Sequence, residues 1–107
     1  MKLTGPPDFE NAMHDIYKRA KSEANYTASE FLNMLFKHGG LGTAKQLINS
    51  PKESLGYENL SERRRLDLSV EAVVVENAKW HFLFEPEEIQ KARKRLRAYE
   101  YIPVERN

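Results

Sequence analysis

Cysteine is absent from the 107 residues. That removes a disulfide framework, a thiolate nucleophile and any zinc site built on Cys, and it fits a reducing cytoplasm. Net charge is nearly absent too. Seventeen Lys and Arg stand against sixteen Asp and Glu, a formal charge of +1. So even a balance argues against a chain that coats DNA or a membrane by electrostatics alone. No apolar run approaches the ~20 residues of a membrane span, so no membrane partner is expected. The opening Met1-Lys2-Leu3-Thr4-Gly5-Pro6-Pro7 lacks the apolar stretch of a signal peptide. Asn25-Tyr26-Thr27 matches a glycosylation pattern, which without an export signal reads as chance. Internal repeats and low-complexity segments are also missing. What is present is 40% hydrophobic and 31% charged residues, in a length that supports one core and one domain.

Gly5-Pro6-Pro7 is the first punctuation. It predicts a flexible arm over 1–7, a helical domain over 8–102 and a tail over 103–107, with Pro103 ending the ordered part. Asp8 stands where a helix cap is wanted. Phe9, Met13, Ile16, Tyr17 and Ala20 recur at a 3.6-residue period, which predicts a helix from 8 to 23. Thr27-Ala28-Ser29-Glu30 reads as a capping box. The helix behind it carries Phe31, Leu32, Met34, Leu35 and Phe36 around much of its girth, so it is expected to lie at the centre of the core. Gly39-Gly40 ends it. A short helix follows over 43–50 until Pro51, then a turn over 54–57 and another short helix over 57–66. Val73-Val74-Val75 has high strand propensity. A lone strand would have nothing to pair with, so 70–76, capped by Ser69, reads as a buried helix. Glu85-Pro86-Glu87-Glu88 opens the last helix, with Pro at its first position and acids in its first turn. The expected fold is all-α, a compact single-domain bundle of five or six helices. Its expected core uses Phe31, Leu32, Leu35, Leu47, Leu66, Val73, Val74, Trp80, Ile89 and Leu96.

Little in the chain signals chemistry. His14, His38 and His81 are scattered, with no pair at ligand spacing, so they read as incidental. Gly39-Gly40-Leu41-Gly42-Thr43-Ala44-Lys45 invites comparison with a phosphate loop. Its spacing is wrong, a helix rather than a strand precedes it, and no Ser or Thr follows Lys45. It reads instead as a helix–helix corner, with a modest anion site at the Thr43 helix start as the sharper alternative. The helices on either side could form a helix-turn-helix whose second member shows Lys45, Gln46 and Asn49 to bases or phosphates. That member is short, and ordinary packing explains the same residues. Trp80, Phe82 and Phe84 would line one side of an extended segment. They read as core rather than as a stacking platform.

Arg63-Arg64-Arg65 is the sharpest feature. Three guanidiniums in a row point around more than half a helical turn, so one ion pair cannot absorb them. On the last helix, Lys91, Lys94 and Arg95 share one side, and Arg93 and Arg97 another. If the two groups fall on one face they make a phosphate-tracking patch; otherwise they are a solvated surface whose charges suit the helix dipole. Candidate binding residues are therefore Arg63, Arg64, Arg65, Lys91, Lys94 and Arg95, with Lys45, Gln46 and Asn49 as secondary contacts.

Gly40-Leu41-Gly42-Thr43-Ala44-Lys45-Gln46-Leu47-Ile48, Gly56-Tyr57 with Leu60, Arg65-Leu66-Asp67-Leu68-Ser69-Val70-Glu71-Ala72, and Trp80 with Leu83-Phe84 form a pattern over a little more than half the chain. The pattern resembles a widespread, largely uncharacterised family of small bacterial and mobile-element proteins. The resemblance implies a helical fold and a bacterial or phage origin, and it carries no catalytic residues. Arg64 stands where the resemblance leads one to expect glycine, which puts a tight turn before Leu66 in doubt. The expected function is non-catalytic: a small accessory or regulatory protein that binds nucleic-acid phosphate, DNA or RNA, through a basic face. The alternative is a protein-binding adaptor or inhibitor, as in genome defence or counter-defence. No metal or cofactor is expected, and an exposed Leu or aromatic stripe would favour a homodimer.

Overall fold

The structure, a computed structural model, describes residues 2–106. Six α-helices follow one another: α1 (Pro7–Ala24), α2 (Ser29–His38), α3 (Gly40–Asn49), α4 (Leu55–Glu62), α5 (Val70–Glu76) and α6 (Pro86–Ala98). Two 3-10 segments, Leu66–Leu68 and Ala78–Leu83, flank α5. The fold is all-α, and the 3-10 segments carry the helical elements past the five or six expected. Among the described residues, extended pairing is limited to one parallel bridge between Asn77 and Arg106.

Local chemistry sets most boundaries. Pro7 occupies the first turn of α1, where a missing N–H costs nothing. Asp8 lies inside that turn, and Pro6 is the cap residue. Ser54 accepts from the Tyr57 N–H at 3.0 Å, so the expected turn at 54–57 is the capped start of α4. Ser69 accepts from the Ala72 N–H at 3.1 Å and starts α5, confirming the valine run as helix. Glu85 and Glu88 form the reciprocal capping box of α6. The box expected at Thr27 and Glu30 is not made. Ala28 is the cap residue there, and α2 begins without a side-chain cap.

The core centres on α5 rather than α2. Val70, Ala72, Val74 and Val75 are buried, and α5 packs on α3, α6 and both 3-10 segments. Phe9, Met13, Ile16 and Ala20 of α1 and Ile89, Ala92 and Leu96 of α6 complete it. Of the expected core, Leu35, Leu66, Val74, Trp80, Ile89 and Leu96 are buried, whereas Phe31, Leu32, Leu47 and Val73 are only partly covered. For Phe31 and Leu32 the reason is that α2 packs against α1 and α3 along one stripe. Leu35 is its buried residue, and Phe36 on the far side is 61% exposed. The aromatic segment is a 3-10 helix, not extended. Trp80 and Phe84 turn inward onto Phe9, while Phe82 is 75% exposed. With three residues per turn, positions two apart cannot share a face.

Segments near both ends of the described range are tied to the body. The Leu3 N–H donates to the His38 carbonyl, and the Leu3 carbonyl accepts from Gly42, each at 2.8 Å. Of the arm expected to be loose, residues 2–7 are described, and this pairing fixes their course. The tail does not stop at Pro103. The Arg106 N–H donates to the Glu76 carbonyl at 2.7 Å, and Glu105 pairs with Arg93 at 2.8 Å. Residues 1 and 107 lie outside the described range.

Candidate binding site

The glycine corner does hold an anion, and the anion is the protein's own. Helix α3 begins at Gly40, so Thr43 sits inside it, buried, and is not its start. The Glu10 carboxylate accepts from the Gly40 N–H at 2.7 Å, the Leu41 N–H at 3.1 Å and the Gly5 N–H at 2.8 Å. Orphan amides and the helix dipole favour a carboxylate there. Glycine is needed for the approach: a Cβ on Gly40 would lie 2.6 Å from Glu10 Oε2. Gly39 takes φ +79 beside the Leu3 carbonyl. The corner is thus closed to an outside phosphate while Glu10 is seated. Because one glycine separates α2 from α3, the connection is also tighter than a helix-turn-helix.

Most of the nominated basic residues are engaged within the fold. Arg95 is largely buried and pairs with Glu71 at 3.0 Å; it also donates to the carbonyls of Leu47 and Ser50. Burial pushes the Glu71 carboxyl up, against the pull of Arg95. Arg65 pairs with Asp67 at 2.9 Å and with Glu23 at 2.7 Å, which raise its guanidinium pKa. Arg19 and Arg65 hold the Glu23 carboxyl down at about 2. Arg63 donates to Ala24 and Asn59 and lies 5.0 Å from the Tyr26 ring centre. Lys45 pairs with Glu88 at 2.7 Å, Asn49 donates to Glu88 at 2.6 Å, and Lys91 donates to Asn49 at 2.9 Å. Burial raises the Glu88 carboxyl, but Lys45 and the further hydrogen bonds outweigh that and lower it. Lys45, Asn49 and Lys91 therefore belong to one polar seam between α3 and α6. The arginine run is anchored elsewhere, at the end of α1, and no hydrogen bond or ion pair among the described residues joins the two groups. Arg64, Lys94 and Gln46 stay exposed, with no side-chain hydrogen bond or ion pair among the described residues.

A second feature was not anticipated from the sequence. An apolar groove of about 330 Å³ opens between α2 and α4. Ile16, Ala20, Tyr57, Leu60, Leu68 and Val70 form its buried floor. Phe31, Met34 and Leu47 form half-covered walls, and Leu55 stands on the lip, 74% exposed. Tyr26 lines one edge and carries Arg63 on its ring. The one available sequence signal was the surplus of apolar residues on α2, more than a single buried stripe uses. Nothing local marks Leu55 or Tyr26.

Among the described residues, no group of three or more His, Asp or Glu is placed to hold a metal ion, and no helix is long and apolar enough to cross a membrane. No family model, curated protein or solved structure matches the chain.

Proposed function

We propose that the chain is a non-catalytic binding module that takes an apolar segment of a partner protein into the groove between α2 and α4. The groove itself carries the reading. It combines a buried apolar floor with an exposed leucine on its lip, the composition of a surface recess that takes apolar side chains. Its volume is at the small end of ligand pockets, enough for a few side chains of a docked helix. Phosphate tracking by a broad basic face has less support. Arg65 and Arg95 are neutralised by carboxylates, and Lys91 is tied into the α3–α6 seam.

A random-peptide display library panned against the full chain tests the proposal. Peptides with apolar residues at helical spacing are expected, with affinity that changes little with salt. Leu55→Glu, on an exposed lip, should leave the fold intact and weaken these peptides about tenfold or more, a hot-spot-sized effect. Enrichment without apolar spacing, or indifference to Leu55→Glu, would remove the groove as the site. A fluorescent oligonucleotide bound with a steep salt slope would point back to phosphate recognition.

A further inference from the structure

Resting on that reading, we infer that the partner of the groove is a second copy of this chain. The two copies are related by a two-fold axis, and each seats its Leu55 in the other's groove. Leu55 is the first residue of α4 and stands 74% exposed on the lip. It is not on a loose loop. Ser54 caps the helix just before it, accepting from the Tyr57 N–H at 3.0 Å. Tyr57 is buried and meets Tyr99 edge-on, ring centres 5.0 Å apart. A fixed apolar knob therefore stands in water beside an apolar hole of about 330 Å³. Its backbone is already ordered, so docking loses little freedom there.

In a two-fold contact one patch faces itself, so a knob on the patch meets the hole on the same patch of the other copy. Knob and hole side by side meet that condition, and pairing covers both at once. The charges fit the same arrangement. No Lys, Arg or His lines the groove. Of its two carboxylates, Glu71 is neutralised by Arg95, and Glu30 is exposed with no ion pair among the described residues. At the edge, Arg63 rests on the lining Tyr26 and donates to carbonyls rather than to a carboxylate. Its neighbours Glu62 and Arg64 add one exposed, unpaired charge of each sign. The left-handed turn at Arg64, φ 57, is repeated at Glu100, φ 60, after α6, so it is ordinary helix closure. The surround thus favours neither an acidic nor a basic partner, and across a two-fold axis each sign can face its opposite. The apolar faces of α1, α5 and α6 are spent on the core, so a second copy has no helix free to lie along the groove. Phe36 and Phe82 are exposed but lie outside the lining. A copy offering one of them would make a head-to-tail contact, which builds rings or open chains instead of a dimer.

Sedimentation equilibrium of the full chain, from micromolar to submillimolar concentration, reads the stoichiometry. A monomer–dimer equilibrium with no larger species is expected. Leu55→Glu should weaken dimerisation about tenfold or more, a hot-spot-sized effect, and Phe82→Glu should leave it unchanged. Both positions are exposed, so thermal melts should show the fold intact. The absence of cysteine allows the register to be checked by cross-linking. Single-cysteine chains Leu55→Cys and Met34→Cys, mixed and oxidised, should give a mixed disulfide dimer. Phe82→Cys mixed with Met34→Cys should not. An apolar peptide selected by panning should dissociate the dimer. A wild-type chain that stays monomeric, forms larger species or dimerises regardless of Leu55→Glu overturns the inference. So does a dimer that yields no mixed disulfide. If such a chain still binds apolar peptides, the groove reading stands and its partner is a different protein. If it binds no apolar peptide either, the groove reading falls as well.

Discussion

Arg95 and Glu71 meet where α6 crosses α5, both side chains nearly out of water. The guanidinium also satisfies the carbonyls of Leu47 and Ser50, and the Tyr57 hydroxyl donates to the Arg95 carbonyl. Removing one partner of such a pair leaves the other charged and stranded. Arg95→Met is therefore expected to lower the unfolding free energy by about 3–5 kcal/mol, and adding Glu71→Gln should restore part of it, measured by denaturant unfolding. The loss should shrink in acid. A carboxyl whose folded pKa is raised favours the folded state below its unfolded value and penalises it as pH rises. Glu23 behaves in the opposite sense. Hydrogen bonds from Arg19 and Arg65 hold its carboxyl at about 2, against an ordinary value of 4.5. The unfolded chain takes up that proton first, so the stabilisation is complete above about pH 4.5 and is lost as pH falls to about 2. The difference in midpoint between wild type and Glu23→Gln should be small, because the group is exposed, and should vanish over that window.

At the scale of the element, the corner between α2 and α3 depends on a residue with no side chain. Gly40→Ala is expected to destabilise the fold by about 1–3 kcal/mol, because the new methyl displaces Glu10 and orphans the amides it satisfies. Thermal melts of Gly40→Ala and Glu10→Gln should both fall, and the double variant should fall by less than their sum. Helices were legible wherever the signal is local. The period of Phe9 to Ala20, the Ser69 cap and the Pro86 start of α6 with its first-turn acids are local signals of this kind. The all-α class follows from them. Features that depend on distant partners were not legible. Arg95 looks solvent-facing on its own helix and becomes buried only because Glu71 and the end of α3 arrive beside it. Asp8 and Thr27 have the right chemistry for caps, yet the cap positions fall two residues before Asp8 and one after Thr27. The candidate site divides the same way. Arg64 stood out as one of three adjacent arginines, but its left-handed backbone and isolation did not. The groove arises from α2, α4 and α5 together, so no segment announces it.

Over the whole molecule, the near-equality of positive and negative charge has a structural counterpart. Cations on α3 and α6 and in the loop after α4 are matched to acids on other elements or the tail, so these pairs serve to join parts of the chain. Other charges, Arg64 and Lys94 among them, stay exposed without a side-chain partner among the described residues. The Glu10 seat also bears on the order of assembly. Two of its three bonds tie residues about thirty positions apart, the third reaches back to Gly5, and together they require the arm, α1 and the α2–α3 corner to be in place. Closing a loop of that length is unfavourable until the docked helices align the amides. Glu10→Gln should therefore speed unfolding while leaving the refolding rate nearly unchanged in stopped-flow traces, the signature of a contact made after the transition state. The carboxylate would then act as a late-closing bolt, setting how long the native state lasts rather than how quickly it is reached.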